Sequence, residues 1–257
     1  MKRLAAVAVL FILSLAAARA DGPIRFGFSD EPYPPFFSKD QNGNFTGFEY
    51  ELMKLVCAHA QAECVAVPTG WDGMIPSLQQ HKIDVIWASM SNTPERRAVI
   101  AFTDKYYDAP SVLIGPKATP VTIDFARADS LKGLTIGVQT ATIHASYLAK
   151  HFAGGVDTKL YDTFDNATAD LAAGRIDLVF ADRTSLMLFL KSPAGSDMEI
   201  KAQAPDDPLL GRGVAGGLRK EDAALKAKLD TAIAATRADG SYQALAKRYF
   251  DFDIYGG

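Results

Sequence analysis

Along this chain, short apolar strand patterns alternate with longer amphipathic helix patterns in two blocks, and a stretch with neither period separates the blocks. No other feature limits the fold as much, because strand–helix alternation yields a mainly parallel sheet covered by helices. The first block opens with a strand over residues 24–28, where apolar residues alternate with Arg25 and Gly27. A helix from Gly47 puts Phe48, Leu52, Leu55 and Val56 on one face, and a strand over 64–67, a helix over 71–80 and a strand over 83–88 follow. Residues 30–37 carry three prolines and three aromatics and read as a shaped loop; Asn42-Gly43-Asn44 is a turn.

Residues 106–116 are extended and proline-punctuated, after which the alternation resumes with strands over 134–138, 159–161 and 176–180 and helices over 141–152, 164–173 and 182–190. A linker rich in Pro, Gly, Asp and Ala is expected over 192–208, then a glycine-laden, partly extended return over 209–218. Two helices close the chain, one on Leu225, Leu229 and Ile233, the other capped by Ser241. The expected architecture is α/β with two lobes, residues 21–109 plus 206–257 and residues 110–205. A chain that crosses twice between lobes makes a hinge with a cleft. Ligands of such sheets collect at the carboxyl ends of strands, where both the 30–33 loop and the 88–91 segment fall.

The chain has 257 residues, 48% hydrophobic and 22% charged, enough for one large domain or two modest ones. Lys2 and Arg3, the apolar run over residues 4–15 and Ala18-Arg19-Ala20 read as a secretory signal peptide over residues 1–20, cleaved after Ala20. The apolar run is too short to span a bilayer, and no second run approaches that length. Loss of three basic residues (Lys2, Arg3 and Arg19) from 27 basic and 30 acidic leaves a net charge of −6. With no basic stripe, a nucleic-acid partner is not expected. The leader implies export of the mature protein, the expected state is a monomer, and no cofactor or metal is expected. Cys57 and Cys64 are read as one disulfide on grounds of compartment, which stabilises by about 2.5 kcal/mol on the chain-entropy model. Two buried thiols or half a metal site are the alternatives.

Arg96 is the first candidate binding residue. Its planar fork grips a carboxylate through two charge-assisted hydrogen bonds. The preceding Ser89-Met90-Ser91-Asn92-Thr93 supplies hydroxyl and backbone N–H groups at a strand end. A solvated charge beside Arg97 is the alternative.

Gly47-Phe48-Glu49, the Cys57/Cys64 pair, Ile75-Pro76-Ser77-Leu78, Lys82-Ile83-Asp84 and Ser91-Asn92-Thr93-Pro94-Glu95-Arg96 occur in that order, followed by Phe102-Thr103-Asp104-Lys105. Leu131-Lys132-Gly133, Ala173-Gly174-Arg175-Ile176-Asp177, Gly217-Leu218-Arg219-Lys220 and the end from Tyr249 to Gly257 continue the series. In these motifs the chain resembles the periplasmic polar amino-acid-binding proteins of ABC importers (family 3 solute-binding proteins), above all the lysine/arginine/ornithine- and histidine-binding group. The resemblance spans the whole expected mature chain. It implies a type II periplasmic-binding-protein fold with a two-strand hinge that closes over an amino acid. It also implies delivery to a membrane permease.

By the same resemblance, Arg96, Ser89 and Ser91 hold the ligand's head, and Ala88 stands where relatives commonly carry a serine. Asp182 accepts the α-ammonium, although it also fits a helix N-cap. Thr142 and Ile143 occupy a helix start whose N–H groups meet a carboxylate. Tyr33 and Trp71 sandwich the side chain. Asp30 pairs with a distal cation at the expense of one extra residue in the alignment, with Glu31 as the substitute. His144 is read as a polar wall and Arg212 as solvated. An opine-like conjugate is an alternative ligand. A dehydratase-like enzyme on the same fold and a receptor for a membrane sensor are alternative functions.

Overall fold

The computed structural model describes residues 22–127 and 129–256. The expected signal peptide and its cleavage point lie outside the described residues. In chain order the first block contains β1 (Ile24–Ser29), a hairpin of β2 (Ser38–Lys39) and β3 (Phe45–Thr46), α1 (Phe48–His59) and β4 (Cys64–Thr69). It continues with α2 (Met74–Gln79), β5 (Val85–Ile86), α3 (Pro94–Val99) and β6 (Ala101–Tyr107). The second holds β7 (Ser111–Pro116), β8 (Thr135–Gln139), α4 (Ile143–His151), β9 (Asp157–Tyr161), α5 (Phe164–Ala172), β10 (Leu178–Asp182), α6 (Arg183–Leu190) and β11 (Met198–Gln203). The chain ends with β12 (Val214–Leu218), α7 (Ala223–Ala238) and α8 (Ser241–Tyr249).

Two five-stranded sheets result, ordered β4-β1-β5-β12-β6 and β11-β7-β10-β8-β9. In each, four strands run one way and a single strand runs against them. The reversed strands are β12 and β7, each the first strand after a crossing between lobes. The chain leaves the first sheet after Tyr107 and returns to it at Val214, and α7 and α8 pack on α1. One core therefore forms around Phe26, Phe28, Phe48, Trp87 and Tyr106, and the second lobe buries Val112, Ile114, Leu178 and Phe180 on the two faces of its sheet. Each lobe therefore has an apolar interior of its own.

Local chemistry accounts for the elements. Gly47 has a φ of 111°, and a Cβ there would come within 2.5 Å of the Phe36 carbonyl oxygen. Only glycine lets α1 start this close to the proline-rich loop. Cys57 and Cys64 are joined as a disulfide, which ties the end of α1 to β4. With both sulfurs in that bond, neither buried thiols nor a thiolate metal site describes this pair. No helix among the described residues is long and apolar enough to cross a membrane.

Several elements differ from expectation. Residues 192–208 are not merely a linker: β11 lies within them, its Met198, Ile200 and Ala202 alternating with Glu199, Lys201 and Gln203. The expected helix over 71–80 divides into a 3₁₀ turn, Trp71–Gly73, and α2. The strand expected over 83–88 pairs only at Val85 and Ile86, and the chain then bends toward the cleft. Ser241 is the first residue of α8 rather than its cap; the cap position is Gly240 at a φ of 82°.

Candidate ligand-binding site

The cleft between the lobes encloses about 680 Å³ of empty space, its open mouth included. Glu31, Tyr33, Trp71, Ala88, Ser89, Ser91 and Arg96 line it from the first lobe, and Thr142, Ile143, His144 and Asp182 from the second. Every expected contact residue is thus gathered there except Asp30. That expectation is corrected: Asp30 is exposed and paired with Lys39 at 2.9 Å, whereas the half-buried Glu31 lines the cleft. Strand β1 continues through Ser29, and from there the chain directs alternate residues to opposite sides, which turns Asp30 to solvent and Glu31 inward. Arg212 lies elsewhere, in the groove behind the crossing strands.

Arg96 sits in the first turns of α3. Thr93 caps that helix, its Oγ1 accepting the Arg96 N–H at 3.2 Å, and Pro94 opens it with a pre-set φ. The guanidinium donates from Nη1 to the Ser91 carbonyl at 3.0 Å and from Nη2 to the Ala141 carbonyl, in the other lobe, at 3.3 Å. It lies 5.6 Å from the centre of the Trp71 ring. Among the described residues no carboxylate is within ion-pair distance of it. Burial lowers its pKa to about 10, against the pull of Glu95 and Asp182, so it stays cationic at neutral pH.

Asp182 ends β10 in the cap position of α6, yet its side chain caps nothing. The carboxylate is buried at 5% exposure and points into the cleft. Tyr33 donates its hydroxyl to Oδ2 at 2.8 Å, and Oδ1 has no hydrogen-bond partner. Burial raises its pKa to about 7, opposed by the Tyr33 hydrogen bond and the Arg96 charge. His144 Nε2 is 3.6 Å from Oδ1 and 3.0 Å from Ser111 Oγ. Burial and then Arg96 hold its pKa to about 3, so the ring is neutral. One ring nitrogen faces both Ser111 and Asp182, which is not the two-nitrogen relay of a nucleophilic triad.

Ser89 is held from below. Its φ is +55°, and its N–H donates to both Glu49 carboxylate oxygens, at 2.9 and 3.1 Å. Its hydroxyl donates to Glu49 Oε2 at 3.3 Å and accepts from Tyr107 at 2.7 Å. Both donors of Ser89 therefore serve the protein, and its carbonyl oxygen accepts no hydrogen bond among those described. Thr142 is likewise occupied, capping α4 through the Ala145 N–H at 3.3 Å and donating to the Gln139 carbonyl at 2.7 Å. The start of α4 opens on the cleft, where the first N–H groups of a helix favour an anion.

The walls are aromatic. Tyr33 packs edge-on against Phe164 from the other lobe, with ring centres 5.5 Å apart, and the Trp71 Nε1 is buried without a partner. Gln139 and Phe164 were not legible as site residues, although Gln139 ends β8 and Phe164 starts α5, both places where strand–helix units gather ligands.

Residues 24–252 match the family described as bacterial extracellular solute-binding proteins, family 3. The chain belongs to that family. This family 3 protein is 42% identical over 254 residues to the histidine-binding periplasmic protein of Salmonella typhimurium, covering 97% of this chain and 96% of the relative. It is 40% identical over 261 residues to the lysine/arginine/ornithine-binding periplasmic protein of Escherichia coli, with 99% of each covered. Among solved structures, an ancestral arginine-binding protein bound to arginine superposes with a TM-score of 0.81 at 29% identity, covering 90% of this chain and 99% of that one. The type II two-lobed architecture of this family 3 protein is the expected one.

Proposed function

We propose that this protein is a periplasmic receptor for a polar, cationic L-amino acid, such as arginine, lysine, ornithine or histidine, which it delivers to the permease of an ABC importer. One observation carries the reading: Arg96 without a carboxylate and Asp182 Oδ1 without a donor meet in one cleft from opposite lobes. They are the two complements of an α-amino-acid zwitterion, carboxylate to Arg96 and ammonium to Asp182. A buried charge left unpaired costs about 3–5 kcal/mol, so a ligand lacking either head group is rejected. Trp71 and Tyr33 flank a flat stem, and Glu31 offers a charge to a distal cation. Relatives named for histidine and for lysine, arginine and ornithine support the same class.

In this reading residues 21–109 with 206–257 move against residues 110–205 about the two crossings, and residues 1–20 direct export and are removed after Ala20. The mature protein acts as a monomer without cofactor or nucleic acid. Denature, wash and refold the protein, then screen the amino acids by thermal shift. A cationic amino acid present well above its Kd raises Tm by mass action. A flat response to every amino acid overturns the reading.

A further inference from the structure

Glu49 is a buried carboxylate outside the cleft lining, at 0% exposure, with no basic partner among the described residues. Its oxygens collect the Ser89 N–H and O–H and the Tyr106 hydroxyl at 2.9 Å, and the Tyr107 hydroxyl, 3.1 Å away, shares its one proton between Glu49 and Ser89. These donors compensate the burial of one acid. A fully apolar core would be the simpler solution if stability were the only requirement.

The local backbone supplies the reason. Ser89 is left-handed, a conformation that costs a non-glycine residue about 1–2 kcal/mol and persists only where the surroundings over-determine it. Glu49 does that by binding both the peptide N–H and the side chain of Ser89. Held in this way, Ser89 lines the cleft two residues before Ser91, whose carbonyl takes Arg96. Tyr107 shares the Ser89 hydroxyl and the Glu49 carboxylate, and it is the last residue of β6 before the chain crosses to the second lobe.

We propose that Glu49 is the positioning residue of the head-group corner: it fixes the left-handed Ser89 peptide at the cleft wall, and it ties that peptide to the crossing strand through Tyr107. This rests on the amino-acid reading above for the ligand and on geometry alone for the Glu49–Ser89 coupling.

The test is a cycle of Glu49→Gln, Ser89→Gly and the double variant, with L-arginine, L-lysine and L-histidine binding measured by calorimetry. Loss of a hydrogen bond to a charged group predicts an affinity about tenfold or more lower for Glu49→Gln. Glycine adopts the turn without help, so Glu49→Gln costs several-fold less affinity in the Ser89→Gly background than in the parent, whatever Ser89→Gly costs by itself. Wild-type affinity in Glu49→Gln, or an equal loss in the Ser89→Gly background, overturns the proposal. Should Glu49→Gln fail to fold, Tyr107→Phe replaces it in the cycle with the same expected rescue. Independently of any ligand, the Ser89 amide proton in the NMR spectrum moves upfield in the Glu49→Gln or Tyr107→Phe variant. An unmoved resonance rejects the coupling even if amino acids bind, whereas a moved one with no amino acid bound rejects only the ligand reading.

Discussion

The Tyr33 hydroxyl of the first lobe donates to Asp182 Oδ2 of the second at 2.8 Å, and with the Arg96 bond to the Ala141 carbonyl it bridges the cleft. Tyr33 thereby satisfies one oxygen of the buried carboxylate and leaves the other for a ligand. Tyr33→Phe removes a hydrogen bond to a charged group, a loss of about 1.5–3 kcal/mol. Calorimetry should show affinity about tenfold lower or more; an unchanged Kd would mean that this bond plays no part in the bound state.

Arg96→Ala should weaken amino-acid binding at least about a hundredfold, the scale of an uncompensated buried charge. Arg96→Lys keeps the charge but not the fork, and its loss should lie between the two. Equal affinities for the three proteins would remove Arg96 from the carboxylate site.

Asp182 gives a pH prediction with a defined sign. Its folded-state pKa, raised to about 7, exceeds the ordinary carboxylate value, so the ligand-free native state binds a proton more tightly than the unfolded chain. That contribution to stability is present below the ordinary value and is lost as pH rises through about 7. An ammonium ligand needs the ionised form, so affinity should fall as pH drops below about 7 while ligand-free stability gains. Glu49, also raised to about 7 by burial, adds to the stability trend in the same direction. Comparing Tm against pH for the parent and Asp182→Asn isolates one of the two groups. Identical slopes between about pH 5 and 8 would contradict the assignment.

Glu31→Gln tests the side-chain subsite. It removes the acid that lines the cleft without altering the head-group corner. Preference for arginine or lysine over glutamine should shrink by about tenfold or more, with the affinity for neutral amino acids held. The parallel change Asp30→Asn should do little, since Asp30 faces solvent on Lys39. If Asp30→Asn proved the more damaging, Asp30 rather than Glu31 would be the partner of the distal cation.

The two-lobed plan was legible because alternation survives in single short elements, and Arg96 because hydroxyl and N–H groups at a strand end precede it. The choice between Asp30 and Glu31 was not, since one residue of register decides which neighbour faces inward. Nor was β11: its Gly- and Pro-rich flanks obscure six alternating residues that acquire a face only by pairing with β7. Glu49 is by type an ordinary first-turn acid of α1. Its spacing to Leu52, Met53 and Val56 puts it on the buried face of α1, but only the tertiary packing of Ser89, Tyr106 and Tyr107 shows what satisfies it there.

Strand β12 lies between β5 and β6, although the whole second lobe is synthesised before it. A nascent chain that stops short of Val214 leaves β6 with no neighbour in its sheet, while all five strands of the other sheet are already made. The lobe that starts first is thus the one that closes last, and its β6 edge stays open until nearly the whole polypeptide exists.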